Sequence, residues 1–351
     1  MNLAVIFGGM STEHDVSIVS GVSVLKNLNK EKYTIFPIYI NQQGEWFFYQ
    51  HDLKSLPNVK VGDSLTELEK IENPITLLKK MDCVFPVLHG LYGEDGTIQG
   101  MLELCKVPYV GCKVLASSVA MDKAYAKVIF EKAGLKQVPY CYVRKYQDDF
   151  MWVHSNLQEE RMTEQEILNK IESKIPYPMF VKPSNSGSSV GVRKVQNKEE
   201  LKEAILYASQ FDNKILIEEG KKVREIECAV LGKKPIFASC TGEILSAEEF
   251  YSFDSKYQNE ESRTVIPAPI SEEIEKEIQR QAKMAFKAID GTGLARVDFF
   301  LEKETNEIYI NEINTMPGFT SISMYAKLME ASSISYTQLL DDLINLAKEQ
   351  K

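Results

Sequence analysis

The segment from Arg296 to Gly318 places the strongest constraint on the fold of this chain. Two apolar runs, Val297–Leu301 and Ile308–Ile313, are rich in β-branched and aromatic residues and flank a polar turn. Runs of this length around a short turn are typical of a β-hairpin. The sequence therefore predicts two antiparallel strands here, followed by a sharp turn at Thr-Met-Pro-Gly.

Three oxygen-bearing side chains lie on this hairpin: Asp298, Glu312 and Asn314. Glu312 and Asn314 are two residues apart, so they lie on one face of a strand, and Asp298 can meet them across the ladder. Converging oxygen ligands suit Mg²⁺, which takes few carboxylates and keeps positions for phosphate oxygens. The alternative is a solvated hairpin face. The alternation of the acids with apolar residues favours the metal site.

The composition excludes several classes of protein. The chain has 351 residues, 44% of them hydrophobic and 26% charged, which predicts a soluble globular protein of two or three domains. Its net charge is −9 with no basic arm, which argues against nucleic-acid binding. No stretch has the length of a membrane span, and the first residues do not resemble a signal peptide. The six cysteines form no metal-binding spacing, so we expect reduced core residues in a cytoplasmic protein.

The first hundred residues predict an open α/β domain. A strand at Leu3–Phe7, a Gly8-Gly9 turn and a helix at Val16–Leu28 form a corner that can receive an anion. The glycine spacing of a dinucleotide fingerprint is missing, which argues against a Rossmann dehydrogenase. A later strand, Cys83–Leu88, leads into the glycine-rich loop His89–Gly100, the position of a ligand crevice in such sheets.

The middle of the chain contains a candidate phosphate loop. A strand ends at Lys182 and is followed by Pro-Ser-Asn-Ser-Gly-Ser-Ser-Val-Gly, which offers backbone N–H groups, hydroxyls and one ammonium to phosphates. It is not a Walker A loop, because no helix follows it with the required residues. The preceding segment, residues 144–175, is predicted to be a peripheral excursion with one helix, Glu164–Lys174.

The last third predicts a lid and two helices. Residues 250–262 carry four aromatic residues among charges without periodicity, which is typical of a lid over a binding site. Ser271 is a good N-cap for a long amphipathic helix, Ser271–Ile289, with acids in its first turn. A final helix is predicted from Ser335 to about Ala347.

Taken together, these motifs resemble the D-alanine–D-alanine ligases of the ATP-grasp superfamily over essentially the whole chain. The matching segments, in the family's order, are Phe7–Ser17, Leu88–Gly100, Met121–Lys123, Val181–Gly191, Asp254–Tyr257, Arg296–Asp298 and Asn311–Gly318. The resemblance implies an α/β fold of three domains: residues 1–113, an N-terminal Rossmann-like substrate domain; 114–219, a central ATP-grasp domain; and 220–351, a C-terminal catalytic domain with the lid 250–262. The antiparallel sheets of the last two would sandwich ATP.

The resemblance also implies a reaction: ATP phosphorylates one D-alanine carboxylate, and the amine of a second D-alanine attacks the acyl phosphate, for peptidoglycan synthesis. It implies ATP, two Mg²⁺ ions with Mn²⁺ as an alternative, activation by K⁺, and a homodimer.

The family motifs assign four sets of residues. The metal ligands would be Asp298, Glu312 and Asn314. The catalytic group would be Glu13, Ser188, Tyr257, Arg296 and the Gly318 N–H. Substrate contacts would be His89, Ser323 and Met324. The nucleotide set would be Lys123, Lys182, Ser188, Ser189, Glu218, Glu219, Glu225, Phe250 and Lys256.

The sequence departs from the family pattern at two places. No aromatic residue follows Glu218 beside the adenine, where some members have one, so contacts there would be main-chain. The lid reads Tyr251-Ser-Phe-Asp where Tyr-Asp-Tyr is more usual, which predicts altered lid packing.

Two other functions remain open on the sequence. A D-alanine–D-serine or D-alanine–D-lactate ligase keeps the fold and changes the second substrate. Tyr257 after Lys256 resembles the D-alanine enzymes of the family, whereas the lactate-preferring ligases carry His in this region. Met324 offers a methyl-compatible surface without a partner for a hydroxyl, which favours D-alanine. A catalytically inactive ATP-binding protein is the alternative from another class. The complete set of metal ligands and lysines, with Arg296, argues against it.

Overall fold

The structure is a computed structural model that describes residues 1–147, 149–232, 234–245, 263–320 and 323–349. Within these ranges three β-sheets follow one another along the chain, and helices cover their faces. The fold is α/β, as predicted, and the second and third sheets are antiparallel throughout.

The first sheet is mixed and has the order β4-β3-β2-β1-β5. Its strands are β1 (Asn2–Gly8), β2 (Thr34–Ile40), β3 (Trp46–Tyr49), β4 (Leu68–Lys70) and β5 (Cys83–Val87), with helices α1 (His14–Asn27), α2 (Pro74–Leu78) and α3 (Thr97–Cys105). β1 runs parallel to both β2 and β5, whereas β3 and β4 are added in antiparallel fashion. The predicted strands and first helix are confirmed. The sequence analysis did not identify β3 and β4, which are short.

The second sheet has the order β10-β9-β11-β6-β7-β8. The elements of this region are α4 (Val114–Met121), α5 (Lys123–Lys132), β6 (Tyr140–Tyr146), β7 (Asp149–Val153), β8 (Glu159–Met162), α6 (Glu164–Glu172), β9 (Met179–Pro183), β10 (Arg193–Val195), α7 (Lys198–Ala208) and β11 (Lys214–Glu219). α5 begins at Lys123, because Asp122 caps it by accepting from the Tyr125 N–H.

The prediction that residues 144–175 form a peripheral excursion is wrong. β7 and β8 extend the second sheet, and Phe150 and Trp152 point into its core. The many charged residues that suggested a surface loop belong to β8, an edge strand that is mostly exposed. Charged side chains are common on edge strands because they discourage pairing with other chains.

The third sheet has the order β14-β13-β12-β15-β16. Its elements are β12 (Val223–Leu231), β13 (Phe237–Leu245), β14 (Arg263–Val265), α8 (Glu272–Ala288), β15 (Leu294–Glu302), β16 (Ile308–Asn314), α9 (Met324–Ala331) and α10 (Tyr336–Glu349). The hairpin predicted at the outset is β15 and β16. Asp298 lies opposite Glu312, and Arg296 lies opposite Asn314. Ser271 caps α8 by accepting from the Ile274 N–H, as predicted.

Two features of the core tie the ends of the chain together. The α10 side chains Leu339, Leu343 and Ile344 lie in one hydrophobic core with Leu3 and Phe85 of the first sheet. The same core continues through Met316 and Phe319 to the third sheet. The predicted domain boundaries at 113/114 and 219/220 remain a prediction, since the core of the first sheet includes residues from both ends of the chain.

The close packing of α1 on β1 yields a stability prediction. A Cβ atom added to Gly21 would lie 2.4 Å from the Phe7 Cβ, which the strand holds in place. We expect Gly21→Ala to lower the free energy of unfolding by about 1–3 kcal/mol through overpacking. Gly100 of α3 is the control, because a Cβ there meets nothing within 4 Å. Gly100→Ala should stabilise the protein by about 0.5–1 kcal/mol. Urea unfolding measures both, and equal stabilisation by the two substitutions would contradict the packing argument.

Candidate active site

One face of the third sheet is polar and the other is apolar. Alternation along β15 puts Arg296 and Asp298 on one face and Val297 and Phe299 on the other. The apolar face packs on α8 and α5 in a single core. The polar face receives further acids from the neighbouring strands, Glu227 from β12 and Glu312 from β16. The strands thereby concentrate charge on one side of the sheet.

Arg296 is held between two carboxylates on this face. Its Nε and Nη2 atoms donate to the two oxygens of Asp298 at 2.7 and 2.6 Å, and Nε lies 2.9 Å from a Glu227 oxygen. Burial works against its charge, but the two carboxylates outweigh burial and hold the pKa of Arg296 well above its ordinary value. The guanidinium is therefore a fixed cation in a fixed orientation.

The predicted metal ligands come together as the register requires. Asp298 and Glu312 face each other across the ladder, and the Asn314 amide donates to Asp298 at 3.0 Å. In the described part of the chain no three His, Cys, Asp or Glu side chains cluster as a metal site. Two carboxylates and one amide nevertheless fit Mg²⁺, which is commonly held by one or two carboxylates together with substrate phosphates. The assignment of these three residues as ligands remains a prediction.

Lys123 joins the second and third sheets. From the first residue of α5 its Nζ donates to the Ser186 carbonyl at 2.7 Å and lies 3.7 Å from Glu312. The candidate phosphate loop and the candidate metal ligands are therefore within reach of one ammonium group. This arrangement suits a polyphosphate that lies between the two sheets.

A buried group of three charges lies deeper between the sheets. Glu218 pairs with Lys127 at 2.6 Å and also with Lys182. Lys127 is 1% exposed. Burial alone would raise the pKa of Glu218, but the two lysines outweigh it and lower that pKa to about 2. Burial lowers the pKa of Lys127, and Glu218 opposes this shift. Glu218 is thus an anion at every physiological pH.

The serine loop after β9 reaches across to the first sheet. Ser188 donates a hydrogen bond to the Glu13 carboxylate. Ser188 and Ser189 have φ values of 48° and 60°, in the left-handed region that non-glycine residues rarely adopt. Such strain is concentrated at functional sites. Consecutive residues in this conformation are consistent with a loop shaped for a ligand.

Glu13 lies in a narrow space between two glycines. A Cβ on Gly90 would be 2.4 Å from the Glu13 Oε2 atom, and one on Gly187 would be 2.7 Å from it. The main chains of the glycine-rich loop and of the serine loop can approach the carboxylate only because both residues lack a side chain. Glu13 is buried, and Ser11 accepts a hydrogen bond from its N–H. Glu13 and Ser188, which the family motifs assign to one catalytic group, are thus in contact.

His89 is buried with both ring nitrogens engaged. Nδ1 lies 2.9 Å from the Met316 carbonyl and Nε2 lies 2.9 Å from the Ser20 hydroxyl. The carbonyl can only accept, so Nδ1 carries the proton and Nε2 accepts from Ser20. Burial lowers the pKa of His89, which keeps the ring neutral. Its predicted contact with a substrate carboxylate remains a prediction and would require one of these hydrogen bonds to be exchanged.

The predicted contacts for the second substrate lie at the start of α9. The Ser323 hydroxyl accepts from the Thr320 N–H at 2.9 Å, and a Cβ on Gly318 would lie 3.0 Å from it. Met324 is 7% exposed and lies in the hydrophobic core, where a Cβ on Gly242 would approach its sulfur to 2.8 Å. Any influence of Met324 on substrate choice would therefore act through packing around Ser323.

The remaining predicted residues divide into two groups. Glu219 pairs with Lys221 at 3.3 Å, and Glu225 lies on β12 opposite Phe300. Three predicted residues and the predicted lid lie outside the described residues: Phe250, Lys256, Tyr257 and the segment 250–262.

The sequence analysis missed four residues that the structure places at the site: Ser20, Glu94, Lys127 and Glu227. A local signal existed for Lys127, which lies four residues after Lys123 and so on the same face of a helix. Glu227 follows Glu225 by two residues and shares its strand face. No local signal marks Ser20 or Glu94 as residues of the site, because the main-chain atoms that they hold there, at Phe319 and Met316, are more than 200 residues away in the sequence.

Solved structures of known proteins have the same architecture. A crystal structure of the VanG D-Ala:D-Ser ligase from Enterococcus faecalis superposes with a TM-score of 0.82 at 36% identity, covering 99% of each chain. The D-alanine–D-alanine ligase from Coxiella burnetii gives 0.79 at 32% identity, covering 100% of this chain and 94% of that one. The three sheets, with charged clefts between them, define an ATP-grasp enzyme.

Sequence comparison identifies the family. The model "D-ala D-ala ligase N-terminus" matches residues 2–112, and "D-ala D-ala ligase C-terminus" matches residues 129–345. The D-alanine–D-alanine ligase of Acetivibrio thermocellus is 48% identical over 99% of this chain and 95% of its own length. The chain belongs to the D-alanine–D-alanine ligase family. Membership in this family of ATP-dependent ligases implies ATP and Mg²⁺. None of the helices in the described ranges is long and apolar enough to cross a membrane.

Proposed function

We propose that this protein joins two D-alanines into D-alanyl-D-alanine at the expense of ATP, for peptidoglycan synthesis. The observation that carries the proposal is the meeting of three parts of the chain at one site. Glu13 of the first domain contacts Ser188 of the phosphate loop, and Lys123 links that loop to Glu312 of the third sheet. The family of the chain supports the same reaction.

The charges at the site fit the two chemical steps. In the first step the γ-phosphate of ATP is transferred to the carboxylate of one D-alanine, so two anions must approach each other. Lys123 and Lys182, near the serine loop, would offset phosphate charge, and such electrostatic stabilisation is usually the main contribution to catalysis of this kind. Asp298, Glu312 and Asn314 would hold Mg²⁺, which when bound neutralises charge on the transferring phosphoryl group.

In the second step the amine of the other D-alanine attacks the acyl phosphate, and phosphate leaves as the amide bond forms. The carbonyl oxygen becomes negative in the tetrahedral intermediate. Arg296 is a fixed cation on the polar face, and with the Gly318 N–H it would stabilise that oxygen. Glu13 would bind the ammonium of the first D-alanine, and Ser323 the carboxylate of the second.

Further parts of the proposal come from the sequence, some from its composition and pattern and the others from its family resemblance. They are a homodimer, cytoplasmic location, activation by K⁺, the use of Mn²⁺ in place of Mg²⁺, two metal ions, and closure of a lid at residues 250–262 that carries Phe250, Lys256 and Tyr257. The division into domains at 113/114 and 219/220 belongs to the proposal as well.

A D-alanine–D-serine ligase is the second candidate, because the VanG D-Ala:D-Ser ligase shares this architecture at 36% identity. D-Alanine–D-alanine ligases of several bacteria reach higher identity, 48% for Acetivibrio thermocellus and 46% for Caldicellulosiruptor bescii. Met324, packed in the core beside Ser323, supplies no polar partner for a serine hydroxyl.

One assay separates these functions. The purified protein is given ATP, Mg²⁺ and equal concentrations of D-alanine, D-serine and D-lactate, and the products are identified by mass spectrometry. We expect mainly D-alanyl-D-alanine, with ADP released only when D-alanine is present. Mainly D-alanyl-D-serine would establish the second candidate. ATP binding without ADP release would show that the protein is an inactive nucleotide-binding member.

A further inference from the structure

A carboxylate outside the set of expected site residues holds the turn after β16. The Glu94 Oε2 atom accepts a hydrogen bond from the Met316 N–H at 3.0 Å, and Oε1 accepts from the Gly90 N–H at 3.0 Å. Each oxygen thus binds one main-chain N–H, one in the third domain and one in its own loop. Glu94 fixes the distance between the two segments.

The same turn is held at two further main-chain atoms by residues of the first domain. The His89 Nδ1–H donates to the Met316 carbonyl at 2.9 Å, and the Phe319 N–H donates to the Ser20 hydroxyl at 3.3 Å. Ser20 is itself bonded to His89 at 2.9 Å. Glu94, His89 and Ser20 therefore form a clamp on the main chain from Met316 to Phe319.

The clamp leaves one amide of the turn available. The turn has three N–H groups, because Pro317 has none. Those of Met316 and Phe319 are engaged with Glu94 and Ser20. The Gly318 N–H makes no hydrogen bond to any residue within the described ranges. The amide that would face the negative oxygen is the one that the clamp spares.

We propose that Glu94 is a positioning residue for the ligation step: by holding the Met316 N–H it sets the position of the Gly318 N–H toward the oxygen that becomes negative. The inference rests on the proposed function and adds a residue that acts through the main chain, without touching a substrate. Hydrogen-bond donors that are fixed in place before the reaction do not have to reorganise when the negative charge develops. Their position therefore affects kcat more than it affects the binding of the substrates.

The surroundings of Glu94 agree with this role. Burial is the main cause that raises its pKa to about 8, and the nearby charge of Glu13 adds to the shift, while Arg296 opposes it. The charges of Glu13 and Arg296 both act on Glu94, so it lies near two residues of the proposed catalytic group.

The test compares Glu94→Gln with Asp95→Asn, which makes the same change from a carboxyl group to an amide at the next residue. Among the described residues, the Asp95 carboxylate accepts from the Tyr92 and Thr97 N–H groups of its own loop. Glutamine has a single acceptor oxygen, so it holds only one of the two N–H groups. A misplaced group near the reacting atoms costs up to about 10²-fold in rate. We expect kcat to fall about 10- to 100-fold in Glu94→Gln, with the KM for ATP within about 2-fold of the native value. The kcat of Asp95→Asn should stay near the native value.

Hydrogen exchange at Met316 and Phe319 gives a readout that does not require turnover. Both amides should exchange faster in Glu94→Gln than in Asp95→Asn. If Glu94→Gln does not fold, Glu94→Asp replaces it, because it keeps the charge and shortens the reach by one methylene group. The same loss of kcat and the same faster exchange are expected.

Three results would overturn the inference. They are an unchanged kcat in a folded Glu94 variant, an equal loss of kcat in Asp95→Asn, or a loss that appears as a raised KM for ATP. In each case the native protein is assayed as well, and if it forms the dipeptide, the proposed function stands although the inference about Glu94 fails. If the native protein forms no dipeptide, the proposed function fails and the inference fails with it.

Discussion

Glu312→Gln is expected to fold normally and to lose about 10³-fold or more in kcat for ATP-dependent ligation. Glutamine has the same shape on β16 but lacks the negative charge that faces Asp298 across the ladder. In the proposed metal site, which has two carboxylates, the loss of one would weaken the hold on Mg²⁺. Each 1.4 kcal/mol of lost transition-state stabilisation costs about tenfold in rate, and metal ions contribute several kcal/mol. The measurement is kcat as a function of Mg²⁺ concentration.

Glu307→Gln is the matched control for this prediction. Glu307 lies just before the same strand, in an exposed ion pair with Lys136 at 2.6 Å. Exposed ion pairs contribute at most about 1 kcal/mol, so this variant should keep native activity. Native turnover of Glu312→Gln at ordinary Mg²⁺ would contradict the assignment of Glu312 as a metal ligand.

Lys127→Met should lower the free energy of unfolding by about 3 kcal/mol and raise the KM for ATP. Removing one partner of a buried ion pair leaves a carboxylate that water does not solvate. The expected loss of stability is at the low end of the range for removing one partner of a buried ion pair, because Lys182 still pairs with Glu218. Lys132→Met, an exposed position on the same helix, is the control and should be close to neutral. Urea unfolding and ATP titration measure the two effects.

The pH dependence of stability gives Lys127→Met a second readout. The pKa of Glu218 falls from 4.5 to about 2 on folding, so the unfolded chain binds its proton first as the pH drops. The stability contributed by Glu218 is present above pH 4.5 and is lost as the pH falls toward 2. Removing Lys127 brings the pKa of the folded state closer to 4.5, which should flatten this decline. An unchanged acid profile would show that Lys127 does not stabilise the anion.

The sequence predicted best those elements whose pattern is local. The β15–β16 hairpin was predicted from two apolar, β-branched and aromatic runs around a polar turn, and the register placed Asp298 opposite Glu312 as expected. The cap at Ser271 follows from a single residue type. In such segments the side chains that determine the structure lie within a few residues of each other, so periodicity carries the information.

The local sequence pattern did not predict the structure where the contact that fixes a residue is distant in the sequence, or where a strand is polar. β8 is mostly exposed, so it has no apolar alternation, and only its pairing with β7 shows that it belongs to a sheet. Glu94 and Ser20 reveal their roles only through Met316 and Phe319, which are more than 200 residues away. The loop 88–100 was predicted to line a crevice, but nothing within it distinguishes Glu94 from Asp95.

The docking of α10 on the first sheet has a consequence for the order in which this protein matures on the ribosome. The strands that α10 covers are synthesised before it, and Leu343 and Ile344 follow more than 250 residues after Phe85. Leu3 and Phe85 therefore have no partner from α10 until that length of chain has been added. A nascent chain that ends before α10 presents an apolar sheet surface of the kind that chaperones bind.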